Sequence, residues 1–188
     1  MTRIIAGQAR GRRLGTPPGL ETRPTSDRAR EGLFSALDSL IGLPGLRVID
    51  AYAGSGAVGL EALSRGADAA LLIESDRRAA EVIKGNLTQL GLPGGRLVTD
   101  RVEKLAAEPC PDEPYDVLFL DPPYALDGKE LAALITGFAE HGWLAADALV
   151  CVERAARDPE WIWPEGFESL RARAYGEGML WYGHRREQ

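Results

Sequence analysis

Residues 46–59 have the sequence Leu46-Arg47-Val48-Ile49-Asp50-Ala51-Tyr52-Ala53-Gly54-Ser55-Gly56-Ala57-Val58-Gly59. The apolar run that ends in an acid predicts a buried strand, and the glycines that follow match the spacing G-x-G-x-x-G at the start of a helix. Glycine lets the backbone turn sharply and approach a ligand closely. This segment therefore predicts the first strand and the ligand-binding turn of an α/β sheet.

Strands and helices alternate on the carboxyl-terminal side of this segment. The further predicted strands are 69–74, 96–100, 115–121 and 148–153, and the predicted helices are 57–65, 75–90 (with Ser75 as a cap), 101–108 and 128–141. Near-continuous apolar strands separated by helices are typical of a parallel sheet covered on both faces. The tail differs, because 167–174 and 178–185 predict a C-terminal β-hairpin.

The leading segment has a different character from the rest of the chain. Residues 3–15 predict a β-hairpin and 26–41 an amphipathic helix, so we divide the chain into a basic hairpin extension (1–25) and a second domain (26–188). Seven arginines lie in the first 30 residues, although the whole chain has a net charge of −6: Arg3, Arg10, Arg12, Arg13, Arg23, Arg28 and Arg30. Because arginine forks onto phosphate and stacks on bases, this segment is a candidate nucleic-acid-binding region; a solvated basic arm without a partner is the alternative.

Composition narrows the class of protein. The 188 residues are 45% hydrophobic and 27% charged, which is ordinary for one globular domain and excludes collagen-like or disordered chains. No apolar run approaches the roughly 18 residues that span a bilayer, and the N-terminus lacks a signal-peptide pattern. Cys110 and Cys151 lie far apart without metal-ligand spacing. We therefore expect a cytoplasmic protein with reduced thiols, no metal and no membrane contact.

Four predicted strands end in an acid: Asp50, Glu74, Asp100 and Asp121. The carboxyl ends of parallel strands share one edge of a sheet, so these side chains are expected to cluster there. Glu74 stands where a carboxylate accepts hydrogen bonds from ribose hydroxyls, whereas Asp50 would repel a pyrophosphate and suits the ammonium and sulfonium of S-adenosylmethionine. Glycine spacing alone leaves NAD open, so a nucleotide-dependent oxidoreductase is one alternative.

The segment Asp121-Pro122-Pro123-Tyr124 follows the fourth of these strands. A carboxylate and a nearby carbonyl can accept both protons of an exocyclic NH2 group and so aim its lone pair. Tyr124 can stack on a base that has left its own stack. A proline turn with a packed tyrosine is the purely structural alternative. Following an Asp-x-x-x-Gly-x-Gly loop, the segment favours chemistry on the amino group of a base.

These residues resemble known sequences. Asp121–Tyr124 is similar to the (D/N/S)-P-P-(Y/F/W) motif of S-adenosylmethionine-dependent amino-group methyltransferases. Further blocks resemble the RsmD family of bacterial 16S rRNA guanine-N2 methyltransferases: 3–7, 11–14, 23–34 and 52–67. Ala6 stands where that family usually has glycine, and the resemblance is vague over 101–114 and 154–175. It otherwise covers nearly the whole chain.

The resemblance implies a Rossmann-like methyltransferase fold: a mostly parallel seven-stranded sheet with an antiparallel C-terminal hairpin, preceded by the N-terminal β-hairpin and helix. It implies S-adenosylmethionine as methyl donor, S-adenosylhomocysteine (SAH) as product, and a guanine N2 amine of 16S rRNA as acceptor, within a small ribosomal subunit or an assembly intermediate. A monomer suffices for this reaction. Methylation of adenine N6 in DNA or RNA, and an RNA-binding assembly factor with an inactive cofactor site, remain alternatives.

The resemblance also assigns roles to residues. The implied cofactor-binding residues are Asp50, Ala53, Gly54, Ser55, Gly56, Glu74, Asp100 and Asp121. Among them Glu74 would hold the ribose. Asp100 would lie near the adenine amine, and the backbone of Arg101 or Val102 is the alternative. The implied catalytic residues are Asp121, Pro122 and Tyr124, which would hold the target guanine. The basic hairpin and Arg23 to Arg30 would meet rRNA or help to close over the cofactor. For Arg23, Thr25 and Asp27 a purely structural role in capping the helix is the alternative.

Overall fold

The computed structural model describes residues 2–18 and 27–186, and the predicted strands and helices are present in the predicted order. The strands are β1 (Thr2–Arg3), β2 (Arg13–Leu14), β3 (Arg47–Ala51), β4 (Ala69–Ile73), β5 (Gly95–Val98), β6 (Tyr115–Leu120), β7 (Leu144–Ala155), β8 (Phe167–Tyr175) and β9 (Gly178–Arg185). The helices are α1 (Asp27–Leu40), α2 (Ala57–Ser64), α3 (Arg77–Leu90), α4 (Val102–Ala106) and α5 (Gly128–Glu140).

Seven strands form one sheet in the order β5-β4-β3-β6-β7-β9-β8. Strands β3 to β7 are parallel, and β9 pairs antiparallel with both β7 and β8. The predicted mostly parallel sheet with an antiparallel C-terminal hairpin is therefore confirmed. The chain builds outward from β3 to β5 and then returns to β6 on the other side of β3. The carboxyl ends of β3 and β6 thus form a topological switch point, where sheets of this kind bind ligands.

Helices cover both faces of the sheet, which explains why its central strands are apolar throughout. Ile49 and Leu118 point into a core formed with α4 and α5. Their neighbours Val48 and Phe119 alternate to the opposite face and pack with α1 and α2. On that same face, α3 and the N-terminal hairpin share a third group of buried side chains, which includes Ile83.

The N-terminal hairpin is built into this core. Strands β1 and β2 pair antiparallel, and Ile4 and Leu14 are buried against α2 and α3. The Glu61 carboxylate on α2 accepts the N–H groups of residues 5 and 6 at 2.8 and 2.9 Å, and the Ser64 hydroxyl accepts that of Ala9 at 2.9 Å. The predicted boundary between residues 25 and 26 lies outside the described residues, so that division of the chain stays a prediction.

Two predicted ends of elements need correction. Helix α3 is capped by Asp76 rather than by Ser75, because Asp76 has an extended backbone and its carboxylate accepts the Ala79 N–H at 2.8 Å. Strand β7 begins at Leu144 rather than at residue 148, since pairing with Tyr115 extends it past an irregularity in register. Neither change moves the carboxyl-terminal edge of the sheet.

Candidate active site

A cavity of about 610 Å³ opens at the switch point. Six of the predicted cofactor residues line it: Asp50, Ala53, Gly54, Ser55, Glu74 and Asp121. Four other predicted site residues lie outside its lining: Gly56, Asp100, Pro122 and Tyr124. The structure therefore brings three of the four strand-ending acids together around one space, and each comes from a different strand.

The glycine loop lines part of the cavity. Gly54 and Gly56 have φ values of 58° and 78°, in the left-handed region that favours glycine. A Cβ atom on Gly56 would lie 2.8 Å from the Leu72 side chain, so this turn packs closely on β4. The loop leads directly into α2, whose N-cap residue Gly56 has no side chain to accept the first N–H groups of the helix. A ligand can therefore approach the loop backbone directly.

Asp50 is the most buried acid of the site, with 2% of its surface exposed. Its carboxylate accepts the Gly59 N–H at 2.8 Å. Burial raises the pKa of Asp50 to about 8; the Gly59 hydrogen bond opposes this shift, and the negative charges of Asp121 and Glu74 add to it. The three acids thus act on one another electrostatically, and a cationic ligand in the cavity would relieve their repulsion.

Glu74 is held by the backbone. One carboxylate oxygen accepts the Gly54 N–H and the other the Asp76 N–H, each at 2.8 Å. These two bonds join the glycine loop to the start of α3 and fix the direction of the carboxylate. Each oxygen has a second lone pair, so Glu74 can still accept hydrogen bonds from two ligand hydroxyls.

Asp121 and Tyr124 share a turn but face different spaces. Asp121 lines the main cavity together with Phe119 and Pro123. Tyr124 is 58% exposed and lines a smaller hollow of about 240 Å³ that is formed with residues 155–157 and 177. The Arg154 guanidinium on β7 donates to the Leu126 carbonyl at 2.9 Å and so ties the turn to the sheet.

Asp100 forms a local contact at the start of α4. Its carboxylate accepts the Arg101 N–H at 2.9 Å and the Lys104 ammonium at 2.6 Å. The Lys104 hydrogen bond, followed by the Arg101 backbone bond, lowers the pKa of Asp100. Because β5 already ends at Val98, Asp100 is not the last residue of a strand, and its role toward a cofactor stays a prediction.

The predicted nucleic-acid-binding arginines fall into three groups. The side chains of Arg3, Arg10, Arg12, Arg13 and Arg28 are exposed. Arg23 lies outside the described residues. Arg30 is fully buried, and its guanidinium donates to the Arg3 carbonyl at 2.6 Å and to Asp27 at 3.0 Å. The prediction that Arg30 contacts nucleic acid at the surface is therefore wrong, because its side chain lies on the buried, apolar face of α1.

The structure adds residues that the sequence did not suggest. Thr16, Pro17 and Pro18, which follow β2, line the cavity from the side of the N-terminal hairpin. Tyr52 also lines it, has a left-handed φ of 62°, and donates its hydroxyl to Glu103 at 3.1 Å. The position of Tyr52 between Asp50 and Gly54 could have indicated that it lines the cavity. No local sequence pattern relates residues 16–18 to the glycine loop.

Comparison with known proteins identifies the family of the chain. A family described as "Conserved hypothetical protein 95" matches residues 2–184. Ribosomal RNA small subunit methyltransferase D from Escherichia coli strain K12 is 41% identical over 151 residues, which is 80% of this chain and 73% of that protein. The chain belongs to the RsmD family. The predicted family membership is thereby confirmed.

Solved structures show the same fold for the RsmD-family chain. The Escherichia coli protein yhhF has a TM-score of 0.86 at 34% identity, covering 99% of this chain and 98% of its own. Magnesium protoporphyrin IX methyltransferase from Synechocystis PCC 6803, solved with bound SAH, has a TM-score of 0.66 at 17% identity, covering 84% and 82%. The second likeness concerns the fold alone. The predicted Rossmann-like methyltransferase fold is confirmed.

Neither a membrane-spanning helix nor a metal-binding cluster occurs in the part of the chain that the structure describes. None of the helices within 2–18 and 27–186 combines the length and the apolar character of a membrane span. The same ranges contain no group of three or more His, Cys, Asp and Glu side chains arranged to hold a metal ion.

Proposed function

We propose that this chain transfers a methyl group from S-adenosylmethionine to the exocyclic N2 amine of a guanine in 16S rRNA. The observation that carries this proposal is that Asp50, Glu74, Asp121 and the glycine loop line one cavity at the switch point of the sheet. The name of the Escherichia coli relative, a ribosomal RNA small subunit methyltransferase, supports rRNA as the substrate. The guanine follows from the family resemblance. We further propose that the protein acts as a cytoplasmic monomer on the small ribosomal subunit or on an assembly intermediate.

The cavity fits the proposed methyl donor on its own chemistry. When bound, S-adenosylmethionine supplies a methyl group already activated by a positively charged sulfur. Asp50 would face the cationic methionine end, where its buried carboxylate gains a counter-charge. Glu74 would accept the ribose hydroxyls with its remaining lone pairs. The left-handed glycines let the loop backbone come close to the ligand.

Asp121 would act on the amine that receives the methyl group. The N2 lone pair of guanine is delocalised into the ring, so it must be localised before it can attack. A carboxylate and the Pro122 carbonyl can accept the two N–H groups, favour a tetrahedral nitrogen and stabilise the positive charge that develops there. The new N–C bond forms as the S–C bond breaks, and the amine then loses one proton to Asp121 or to water. Positioning supplies much of the remaining acceleration.

Tyr124 and the exposed arginines would hold the RNA. Tyr124 lies three residues from Asp121, and its exposed ring offers a stacking surface for a base taken out of its stack. Arg10, Arg12 and Arg13 are exposed on the hairpin. Arg12 also donates to the Leu90 carbonyl at 2.9 Å, which keeps this basic surface close to the end of α3.

Substitution of Asp121 tests the proposed chemistry. We expect Asp121→Ala to bind SAH as the wild type does and to lose about 10²–10⁴-fold in turnover, because positioned acceptor and base groups contribute factors of that size. Calorimetry would measure SAH binding, and methyl transfer to small ribosomal subunits would measure turnover. Asp147→Ala, at an exposed aspartate on β7, is the matched control.

Nucleoside analysis of the methylated RNA decides the acceptor. N2-methylguanine is the expected product. Detection of N6-methyladenine would show instead that the acceptor is adenine. Wild-type turnover in Asp121→Ala would contradict the role of Asp121. Tight binding of NAD without binding of SAH would favour an oxidoreductase, and the absence of both would favour an RNA-binding assembly factor.

A further inference from the structure

Asn86 on α3 joins two segments that are distant in sequence. It is 3% exposed, although asparagine is usually a surface residue. Its amide oxygen accepts the Gly15 N–H at 2.7 Å, and its amide nitrogen donates to the Gly15 carbonyl at 3.0 Å and to the Ser55 carbonyl at 3.0 Å. Both backbone groups of Gly15 are thus satisfied by one side chain, which also holds the glycine loop.

Both segments contribute to the wall of the same cavity. Ser55 lies in the glycine loop and lines the cavity. Gly15 directly follows β2, and the next three residues, 16–18, line the same cavity. The Asn86 side chain itself is not part of the lining. It therefore contacts both wall segments from outside the cavity, and it sets the distance between Gly15, at the end of the hairpin, and Ser55 in the glycine loop.

We propose that Asn86 is a positioning residue that makes the N-terminal hairpin one wall of the cofactor cavity. This inference rests on the proposed function for the identity of the ligand, S-adenosylmethionine or SAH. Without the two amide donors, the Gly15 and Ser55 carbonyls lose buried partners, and residues 16–18 are no longer held against the loop. The cavity loses a wall while Asp50, Glu74 and Asp121 keep their places at the ends of their strands.

Ser64 provides the matched control. It is also 3% exposed and also ties the hairpin to the body, since its hydroxyl accepts the Ala9 N–H at 2.9 Å and donates to the Ala6 carbonyl at 2.6 Å. It lies at the end of α2, and it does not line the cavity. Ser64→Ala therefore weakens the attachment of the hairpin without removing a contact to the glycine loop.

The test compares Asn86→Ala with Ser64→Ala in the full-length chain. We expect both variants to lower the melting temperature, but only Asn86→Ala to weaken SAH binding, by about tenfold. At saturating methyl donor its kcat should remain close to that of the wild type, while its KM for S-adenosylmethionine rises. Equal SAH affinity in Asn86→Ala and the wild type, or equal weakening in both variants, would overturn the assignment.

Hydrogen exchange of the wild-type protein supplies a second measurement that does not depend on folding of a variant. The Gly15 amide donates to Asn86, so bound SAH, by stabilising the wall that residues 16–18 form, should slow exchange at Gly15 and at Thr16. Unchanged exchange at these amides in the presence of bound SAH would overturn the inference. A wild-type protein that binds no SAH would instead overturn the proposed function, and this inference with it.

Discussion

Asp50 shows how burial changes the protonation of one acid in the proposed cofactor site. A carboxylate buried without a cation keeps its proton to a higher pH, and the pKa of Asp50 is raised to about 8, first by burial. The Gly59 N–H and the loop around it hold the side chain in place nevertheless. A bound cation, such as the methionine end of the proposed methyl donor, would favour the charged form of this carboxylate.

The raised pKa predicts a pH-dependent stability for the cofactor-free protein. Between the ordinary pKa of 3.8 and about 8 the folded chain retains a proton that the unfolded chain has lost, so the contribution of Asp50 to the free energy of unfolding falls as pH rises. The slope reaches at most about 1.4 kcal/mol per pH unit. Asp50→Asn, which can still accept the Gly59 N–H, should lose this slope. Urea unfolding at several pH values measures it, and equal slopes in both proteins would contradict the shift.

At the scale of elements, a buried polar network joins the hairpin, α1 and α2. Glu61 on α2 is fully buried and accepts two N–H groups of the hairpin and the Arg65 guanidinium at 2.8 Å. Arg30 on α1 lies 3.9 Å from the same carboxylate, and burial, the largest effect, lowers the pKa of Arg30. Because α2 begins at the glycine loop, this network anchors the hairpin to a helix that borders the proposed cofactor site.

Substitution of two glycines in the hairpin turn distinguishes the effect of backbone strain from that of close packing. Gly7 and Gly11 both have a φ of 80°, so alanine at either position costs about 1–2 kcal/mol of backbone strain. A Cβ on Gly7 would also lie 1.8 Å from the Ser64 carbonyl oxygen, whereas one on Gly11 meets nothing within 4 Å. Gly7→Ala should therefore destabilise the protein more than Gly11→Ala in urea unfolding. Equal losses would show that the hairpin does not pack on α2 as described.

For the whole molecule, charge is separated between the hairpin and the body. The chain has a net charge of −6, yet Arg10, Arg12 and Arg13 are exposed together around the hairpin turn. An acidic body disfavours non-specific binding to a polyanion, so the proposed contact with RNA would be directed to this surface. The hairpin packs beside α2 and α3, whereas β8 forms the opposite edge of the sheet.

This separation predicts where charge removal affects RNA binding. The double substitution Arg10→Ala with Arg13→Ala should weaken binding to 16S rRNA and reduce its salt dependence, by a slope of about 1 for each phosphate that an arginine no longer neutralises. Arg173→Ala, at an exposed arginine on β8, is the control. Titrations at several salt concentrations measure both effects, and SAH affinity should stay unchanged in all variants. An equal effect per arginine at β8 would remove the hairpin from the proposed RNA surface.

Local patterns in the sequence were sufficient to predict the order of the strands and helices along the chain. They were also sufficient to predict that Asp50, Glu74 and Asp121 lie close together. Apolar runs define parallel strands, and parallel strands place their carboxyl ends on one edge of the sheet whatever the details of packing. The glycine spacing likewise marks the turn after β3, because a left-handed backbone favours that residue type.

Only the tertiary structure showed where the N-terminal segment packs. The contacts of Asn86 with Gly15 and of Glu61 with Ile5 join residues 71 and 56 positions apart, and no periodicity within a single segment encodes such pairs. The same packing buries Arg30, which its charge and position in the sequence had assigned to a nucleic-acid surface. Charge and residue type are local properties, whereas burial depends on which distant surface a side chain meets when the chain folds.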